Sequence, residues 1–253
     1  MEQRTAAVSV RNVTKRFGPV LANDKVCLDI YRGEILALLG ENGSGKTTLM
    51  NMLSGIYYPD EGEIYINGKP VSISSPKESF HLGIGMIHQH FKLVDVFTAA
   101  ENIILGLDEK LDMKSAIRKI RKICDQYGFD IDPNQKIYDM SVSQKQTIEI
   151  IKVLYRGADI LILDDSASAL DFATDARLRA ALRNLQGNKT IFIVSQRTSS
   201  IQFADQILVM DDGQAVGLGT HEELLENCEI YREIYESQFK KEDLRKNGGA
   251  GNV

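Results

Sequence analysis

The stretch GENGSGKT at residues 40–47 constrains the fold of this chain more than any other feature. It follows ILALL (35–39), an apolar run typical of a buried central strand, and it leads into TTLMNML (47–53), which has helical spacing. A strand, a glycine-rich turn and a helix that opens with Lys-Thr form the pattern of a loop that wraps phosphate groups. The sequence therefore predicts an α/β fold with a phosphate site at the end of a strand.

The loop residues offer three kinds of contact to a nucleoside triphosphate. The glycines permit positive φ, so that successive N–H groups point inward at phosphate, and the following helix adds the positive end of its dipole. Lys46 is predicted to reach the β- and γ-phosphates, and the Thr47 hydroxyl to bind Mg²⁺. The predicted nucleotide-binding residues of the loop are Gly40, Glu41, Asn42, Gly43, Ser44, Gly45, Lys46, Thr47 and Thr48. A flexible loop with a chance lysine is the alternative, and the order of strand, loop and helix argues against it.

A second apolar run, ILIL at 160–163, ends in the adjacent carboxylates of Asp164 and Asp165. Ligands of an open α/β sheet bind beyond the carboxyl ends of its strands, so Asp164 is predicted to hold Mg²⁺ through water. A buried structural aspartate is the alternative interpretation.

The remaining patterns predict strands that alternate with helices, as in a mostly parallel sheet covered on both faces. Strands are predicted over 189–195 and 206–213, and GEIYINGKPV (62–71) carries the Asn-Gly signal of a hairpin. Between about 91 and 156, apolar residues recur at intervals of three and four, which predicts a helical insertion. Near the end, THEELL (220–225) contains a capping box that predicts a helix.

Composition limits the classes of partner and the location. A net charge of -5 and a pI near 5.5 argue against a nucleic-acid partner. The three cysteines lack C-x-x-C spacing and indicate reduced thiols. No apolar run approaches the roughly 18 residues needed to span a bilayer, and the N-terminus lacks the apolar region of a signal peptide. A cytoplasmic location is therefore expected, unless a partner holds the chain at a membrane.

Four further motifs surround the phosphate loop in order: Phe17, Gln89 in GMIHQHFKL, MSVSQ (140–144) and SALD (168–171). Together with the loop they resemble the nucleotide-binding domains of ABC transporters over about residues 5–240. By that resemblance Phe17 stacks on adenine, and Gln89 serves both Mg²⁺ binding and catalysis. The resemblance also identifies a signature motif, which acts on the nucleotide of the other subunit (in trans) and consists of Ser141, Val142, Ser143 and Gln144. It identifies a D-loop that consists of Ser168, Ala169, Leu170 and Asp171.

The resemblance implies a single ATPase domain over 1–240. Its P-loop NTPase (RecA-like) core, with an antiparallel β-subdomain, would occupy 1–90 and 157–240, and an inserted α-helical subdomain would occupy 91–156. Residues 241–253 have little to bury and are predicted to be disordered.

Such domains work in pairs, with ATP between the phosphate loop of one subunit and the signature motif of the other. The implied partners are a second ATPase subunit, in a homodimer or heterodimer, and a transmembrane permease that contacts residues Phe80 to Gly106. The implied location is peripheral, on the cytoplasmic face of the cell membrane, and the implied cofactors are ATP and Mg²⁺.

Three positions depart from the family pattern. Asp165 stands where a glutamate base is usual and is one methylene shorter, so its distance from the attacking water limits it as a base. Gln196 replaces the switch histidine near the γ-phosphate and cannot carry a charge. Ser143 replaces a glycine, where a side chain could crowd the phosphate or demand an unfavourable backbone angle. Competent but slow hydrolysis and near-dead nucleotide binding both stay open.

The chain also has a composite character. Up to about Gly157 it resembles sugar- and nucleoside-importer ATPases, whereas from Asp164 on it resembles multidrug or lipid exporter ATPases. One hypothesis is a recombinant or engineered join near 157–164. The alternatives to a transporter ATPase are a degenerate nucleotide-binding switch and a chimera without its own transport function.

Overall fold

The computed structural model describes residues 5–87, 92–107, 112–164, 180 and 182–247, with side chains as far as Phe239 in the last helix. The strands are β1 (Ala6–Phe17), β2 (Val20–Tyr31), β3 (Ile35–Leu39), β4 (Glu61–Ile66), β5 (Lys69–Val71), β6 (Ile84–Ile87), β7 (Ile160–Asp164), β8 (Thr190–Ser195), β9 (Gln206–Asp211) and β10 (Gln214–Gly219). The helices are α1 (Lys46–Leu53), α2 (Pro76–His81), α3 (Ala99–Ile104), α4 (Met113–Tyr127), α5 (Val142–Tyr155), α6 (His221–Asn227) and α7 (Glu229–Asn247). Residues 182–185 are also helical.

The central sheet has six strands in the order β10-β9-β3-β8-β7-β6, all parallel except the edge strand β10. Strand β3 is buried on both faces, as its continuous apolar run predicts. Because successive side chains of a strand point to opposite faces, Leu36 and Leu38 pack into one core cluster, and Ile35, Ala37 and Leu39 into the other. The sheet therefore separates two hydrophobic cores and holds the ends of β3, β8 and β7 at one edge.

A second sheet of four antiparallel strands, in the order β2-β1-β4-β5, covers one of those cores together with α1. The predicted hairpin at residues 62–71 is confirmed as β4 and β5. Asn67 and Gly68 both have positive φ at its turn, as a tight hairpin turn requires.

Helices α3, α4 and α5 form a helical lobe. Its buried side chains belong to the same core cluster as Ile35, Ala37 and Leu39 of β3. Helix α4 confirms the predicted periodicity, with Ala116, Ile120, Cys124 and Tyr127 on its buried face. Burial raises the pKa of the Cys124 thiol to about 11, so this cysteine stays protonated at neutral pH.

Near the C-terminus, the predicted capping box is present in α6, where Thr220 accepts from the backbone of Glu223 and Glu223 accepts from Thr220. The expectation of a disordered segment from residue 241 differs from the structure, because α7 continues to Asn247. The run KKEDLRK is rich in strong helix formers, which favours continuation of the last helix. Residues 248–253 lie outside the described part of the chain.

The observed architecture confirms the predicted α/β class with an antiparallel β-subdomain and a helical insertion. The subdomain boundaries at 90/91 and 156/157 stay predictions. Within the described ranges, each helix is too short or too polar to cross a bilayer.

Candidate nucleotide site

The phosphate loop joins the end of β3 to α1, and its lysine is already oriented. Lys46 is 6% exposed, and its Nζ donates to Gly40 O at 2.9 Å, Glu41 O at 2.7 Å and Ser44 Oγ at 3.2 Å. Three oxygens of the loop thus hold the Lys46 ammonium in place, so an incoming phosphate finds a preorganised cation.

Packing against β2 fixes the last glycine of the loop. Gly45 caps α1 with φ 94°, and a Cβ at this position would lie 2.2 Å from Ala22 O. The fully buried Asn23 donates from Nδ2 to Gly45 O at 3.2 Å. The loop therefore needs glycine at position 45 for both its backbone angle and the space beside it.

Two oxygen-bearing side chains meet at the edge of the sheet. Thr47 is the second residue of α1, and Asp164 is the last residue of β7. The Thr47 hydroxyl donates from Oγ1 to Asp164 Oδ1 at 3.4 Å. Hydroxyl and carboxylate oxygens are hard donors that suit Mg²⁺, a cation that also keeps water and phosphate ligands. The chemistry of this pair fits the ion that the sequence predicts there.

An aromatic surface lies at the end of β1. The Phe17 side chain is 40% exposed and meets Tyr57 edge to face, with ring centroids 5.0 Å apart. Asp60 fixes this strand end, because its carboxylate accepts from Lys15 Nζ at 2.9 Å and from Arg16 N at 2.6 Å. The hydrogen bond from Lys15, and then that from Arg16, lower the pKa of Asp60 below its ordinary value. An exposed ring held in this way can stack on a base.

The loop after β8 reaches the phosphate loop. Gln196 directly follows β8, and its Nε2 donates to Asn42 Oδ1 at 2.6 Å. The structure thus brings Gln196 beside the predicted phosphate site, as the sequence resemblance implies.

The signature segment forms the start of α5. Ser141 is the N-cap, its Oγ accepts from Gln144 N, and Gln144 Oε1 accepts from Ser141 N at 3.0 Å. The concern that Ser143 demands an unfavourable backbone angle is wrong, because Ser143 lies in the first turn of α5 and has no positive φ. A helical position accepts serine without strain. Val142 is 52% exposed at the same surface.

Several predicted site residues cannot be placed. Gln89, Asp165 and the four D-loop residues Ser168, Ala169, Leu170 and Asp171 lie outside the described residues. Sequence reasoning missed three side chains that the structure brings to the site: Asn23, Asp60 and Gln238. A buried asparagine in a strand gives no motif, and Gln238 lies 42 positions from its partner Gln196.

A groove of about 430 Å³ separates the edge of the central sheet from the helical lobe. Apolar side chains such as Phe80 and Val153 line it, together with Lys92, Lys152 and Arg156. Glu149 accepts from Lys92 N at 2.9 Å at its edge. Arg156 donates from Nη2 to Leu105 O at 2.6 Å, and its Nε is buried with no hydrogen-bond partner among the described residues.

The parallel sheet, the loop that wraps phosphate and the acid at the end of β7 define a P-loop NTPase of α/β architecture. The sequence profile of the ABC transporter family matches residues 23–168, so the chain belongs to that family.

Relatives with curated names fit this assignment. The chain is 46% identical over 230 residues to the nucleoside import ATP-binding protein NupA of Lactococcus lactis subsp. cremoris. This alignment covers 87% of the chain and 46% of NupA. It is 41% identical over 253 residues to the guanosine import ATP-binding protein NupO of Bacillus subtilis, covering 96% of the chain and 49% of NupO. The chain thus spans about half the length of these relatives. The second alignment runs on both sides of residues 157–164, and the composite-origin hypothesis stays a prediction.

Solved structures share the fold. The ADP conformation of MJ1267, an ATP-binding cassette of an ABC transporter, has a TM-score of 0.81 at 24% identity and covers 90% of this chain and 98% of its own. CbiO1 from Clostridium perfringens, part of the ABC transporter complex cbiONQ, has a TM-score of 0.78 at 23% identity and covers 91% of this chain and 94% of its own.

Proposed function

We propose that this chain is an ATP-binding and ATP-hydrolysing subunit of an ABC importer. The observation that carries the proposal is the meeting of the phosphate loop with the end of β7. Lys46 is held at the loop, and Thr47 and Asp164 place two oxygens 3.4 Å apart beside it. Loop, cation and acid are the parts that phosphoryl transfer needs for positioning and charge stabilisation.

Each residue has a defined task in hydrolysis. Lys46 and the N–H groups of the loop bind the β- and γ-phosphates and stabilise the charge that develops as the terminal P–O bond breaks. When bound, Mg²⁺, held by Thr47 and Asp164, supplies further neutralisation of phosphate charge. Asp165 accepts a proton from the attacking water, and the Gln196 amide donates to a γ-phosphate oxygen. A shorter base and a neutral donor both lower the rate, so turnover is slow.

Dimerisation completes the site. The exposed start of α5, with Ser141 at the N-cap, presents a helix N-terminus to the γ-phosphate bound by a second subunit. This second subunit is an identical or a related ATPase chain. Closure on ATP and reopening after hydrolysis transmit the cycle to a permease.

The groove between sheet and helical lobe supports a permease contact. Its apolar walls suit a short helix, and the basic side chains of Lys92, Lys152 and Arg156 that line it suit a partner that also carries carbonyl or carboxylate acceptors. Binding there would hold the chain at the cytoplasmic face of the membrane. Because the similar proteins are named as importers of nucleosides, guanosine and ribose, the proposed solute is a nucleoside or a pentose.

Steady-state phosphate release with Mg-ATP tests the enzymatic part, with Lys46→Ala as the blank. Turnover clearly above the blank supports the proposal, whereas turnover equal to it for the purified chain with its permease contradicts hydrolysis. Asp165→Glu lengthens the base by one methylene, and we expect it to raise turnover by on the order of tenfold or more. Asp165→Asn, which cannot accept the proton, is the matched control.

A second candidate is a nucleotide-holding half-site in a heterodimer. The observation that favours it is the bond from Gln196 to Asn42, which places a neutral amide where the family carries histidine. Tight Mg-ATP binding without turnover, together with turnover restored by a competent partner subunit, would select this candidate.

A further inference from the structure

The C-terminal helix contacts the loop that carries Gln196 through one side chain. Gln238 of α7 donates from Nε2 to Gln196 O at 2.6 Å. Its Oε1 accepts from Thr198 N at 2.9 Å and from Thr198 Oγ1 at 3.0 Å. One amide thus satisfies a carbonyl, an amide N–H and a hydroxyl of the same loop, using both its donor and its acceptor.

Helix α7 is anchored firmly enough to act as a support. Tyr231 is fully buried, and its hydroxyl lies 2.6 Å from His221 Nδ1. Burial raises the pKa of Tyr231 to about 12, so the hydroxyl keeps its proton at neutral pH. Ile234 packs against the core one turn later, and Gln238 follows one turn after that on the same face.

The two ends of Gln196 are consequently held by different parts of the fold. Its side chain contacts Asn42 in the phosphate loop, and its backbone carbonyl contacts Gln238 in the last helix. Strand β8 ends at Ser195, so the sheet ladder does not fix the residues that follow. Thr198 is buried, and its backbone N–H and its hydroxyl both donate to Oε1 of the same Gln238 side chain that binds the Gln196 carbonyl.

We propose that Gln238 is a positioning residue that holds the Gln196 backbone so that the Gln196 side chain faces the γ-phosphate. This inference rests on the proposed function, since it assigns Gln196 to the γ-phosphate. It makes the C-terminal helix part of the nucleotide site, although no atom of Gln238 need touch nucleotide. An error of about 1 Å in such a donor is enough to lower a rate by on the order of a hundredfold.

Two substitutions separate positioning from general support. Gln238→Glu keeps an oxygen for Thr198 but removes the donor to Gln196 O and sets a carboxylate against that carbonyl. Gln238→Ala removes both contacts. Ser237→Glu adds the same charge at an exposed neighbouring position of α7 and is the matched control. Thermal unfolding checks that each variant is folded.

We expect Gln238→Glu and Gln238→Ala to lower the kcat of phosphate release by about tenfold and to raise the KM for ATP by about three- to fivefold, because the KM of a slow enzyme follows the dissociation constant of its substrate. The Ser237→Glu control keeps the wild-type kcat. In calorimetric binding, we expect both Gln238 variants to lose about three- to fivefold in Mg-ATP affinity, with Mg-ADP affinity unchanged, because ADP lacks the γ-phosphate.

An unchanged ratio of ADP to ATP dissociation constants in both Gln238 variants would overturn the inference, whether both constants stay at the wild-type value or rise equally through general damage to the site. The binding ratio needs no turnover. A wild-type chain that fails to exceed the Lys46→Ala blank would therefore contradict the proposed hydrolysis while the ratio still decides the role of Gln238.

Discussion

The side-chain amide of Gln196 donates to Oδ1 of Asn42 at 2.6 Å, although 154 positions separate the two residues. The contact joins the loop after β8 to the phosphate loop and places a neutral donor at the phosphate site. Glutamine offers a hydrogen bond there but no positive charge.

Replacing this donor by an ionisable one should raise the rate. We expect Gln196→His to increase phosphate release by on the order of tenfold at pH 6, because a protonated imidazole stabilises the developing phosphate charge. The gain should shrink as the pH rises above about 7, where histidine loses its proton. Gln196→Ala is the control and should fall below the wild-type rate. A histidine variant as slow as the alanine variant at pH 6 would contradict this role.

The pair of Thr47 and Asp164 predicts how nucleotide affinity depends on Mg²⁺. We expect Thr47→Ala to weaken ATP binding by about tenfold in Mg²⁺ and to leave it unchanged in EDTA, because only the metal-dependent part uses the hydroxyl. Thr47→Ser keeps the hydroxyl and should retain wild-type affinity in both conditions. Isothermal titration measures both series. Equal weakening with and without Mg²⁺ would indicate a defect in the loop itself.

Alanine substitutions at two glycines of the phosphate loop distinguish the cost of backbone strain from the cost of steric overlap. Gly43 and Gly45 have φ of 87° and 94°, but only at Gly45 would a Cβ meet other atoms within 4 Å. We expect Gly43→Ala to lower the free energy of unfolding by about 1–2 kcal/mol, the cost of a left-handed alanine. Gly45→Ala should cost about 1–3 kcal/mol more, because β2 must shift. Denaturant unfolding measures both, and similar losses would refute the steric argument.

The lowered pKa of Asp60 gives stability a defined dependence on pH. Since the folded pKa lies below the ordinary value of 3.8, the carboxylate contributes its full stabilisation above about pH 4. The contribution is lost as the pH falls through the lower, folded value. We expect Asp60→Asn to melt below the wild type at pH 5–8 by a constant margin that shrinks below pH 4. A margin that stays constant down to pH 2 would contradict the assignment to Asp60.

Much of the fold could be predicted because its signals are local. The apolar run of β3, the Asn-Gly turn after β4 and the spacing of α4 each fix their own element within a few residues. The phosphate loop is local in the same sense, since its glycines, Lys46 and Thr47 lie within one strand-loop-helix unit. The sequence by itself therefore determined the class of the fold and the chemistry of the phosphate site.

Only the tertiary structure decided which distant side chains complete that site. Thr47 and Asp164 meet across 117 positions because β7 and β3 end at the same edge of the sheet with β8 between them. Gln238 reaches the loop of Gln196 because Tyr231 docks α7 against the core. Hydrophobic periodicity specifies which face of an element is buried but not which strand or helix becomes its neighbour, so contacts of this kind follow from strand order and helix docking alone.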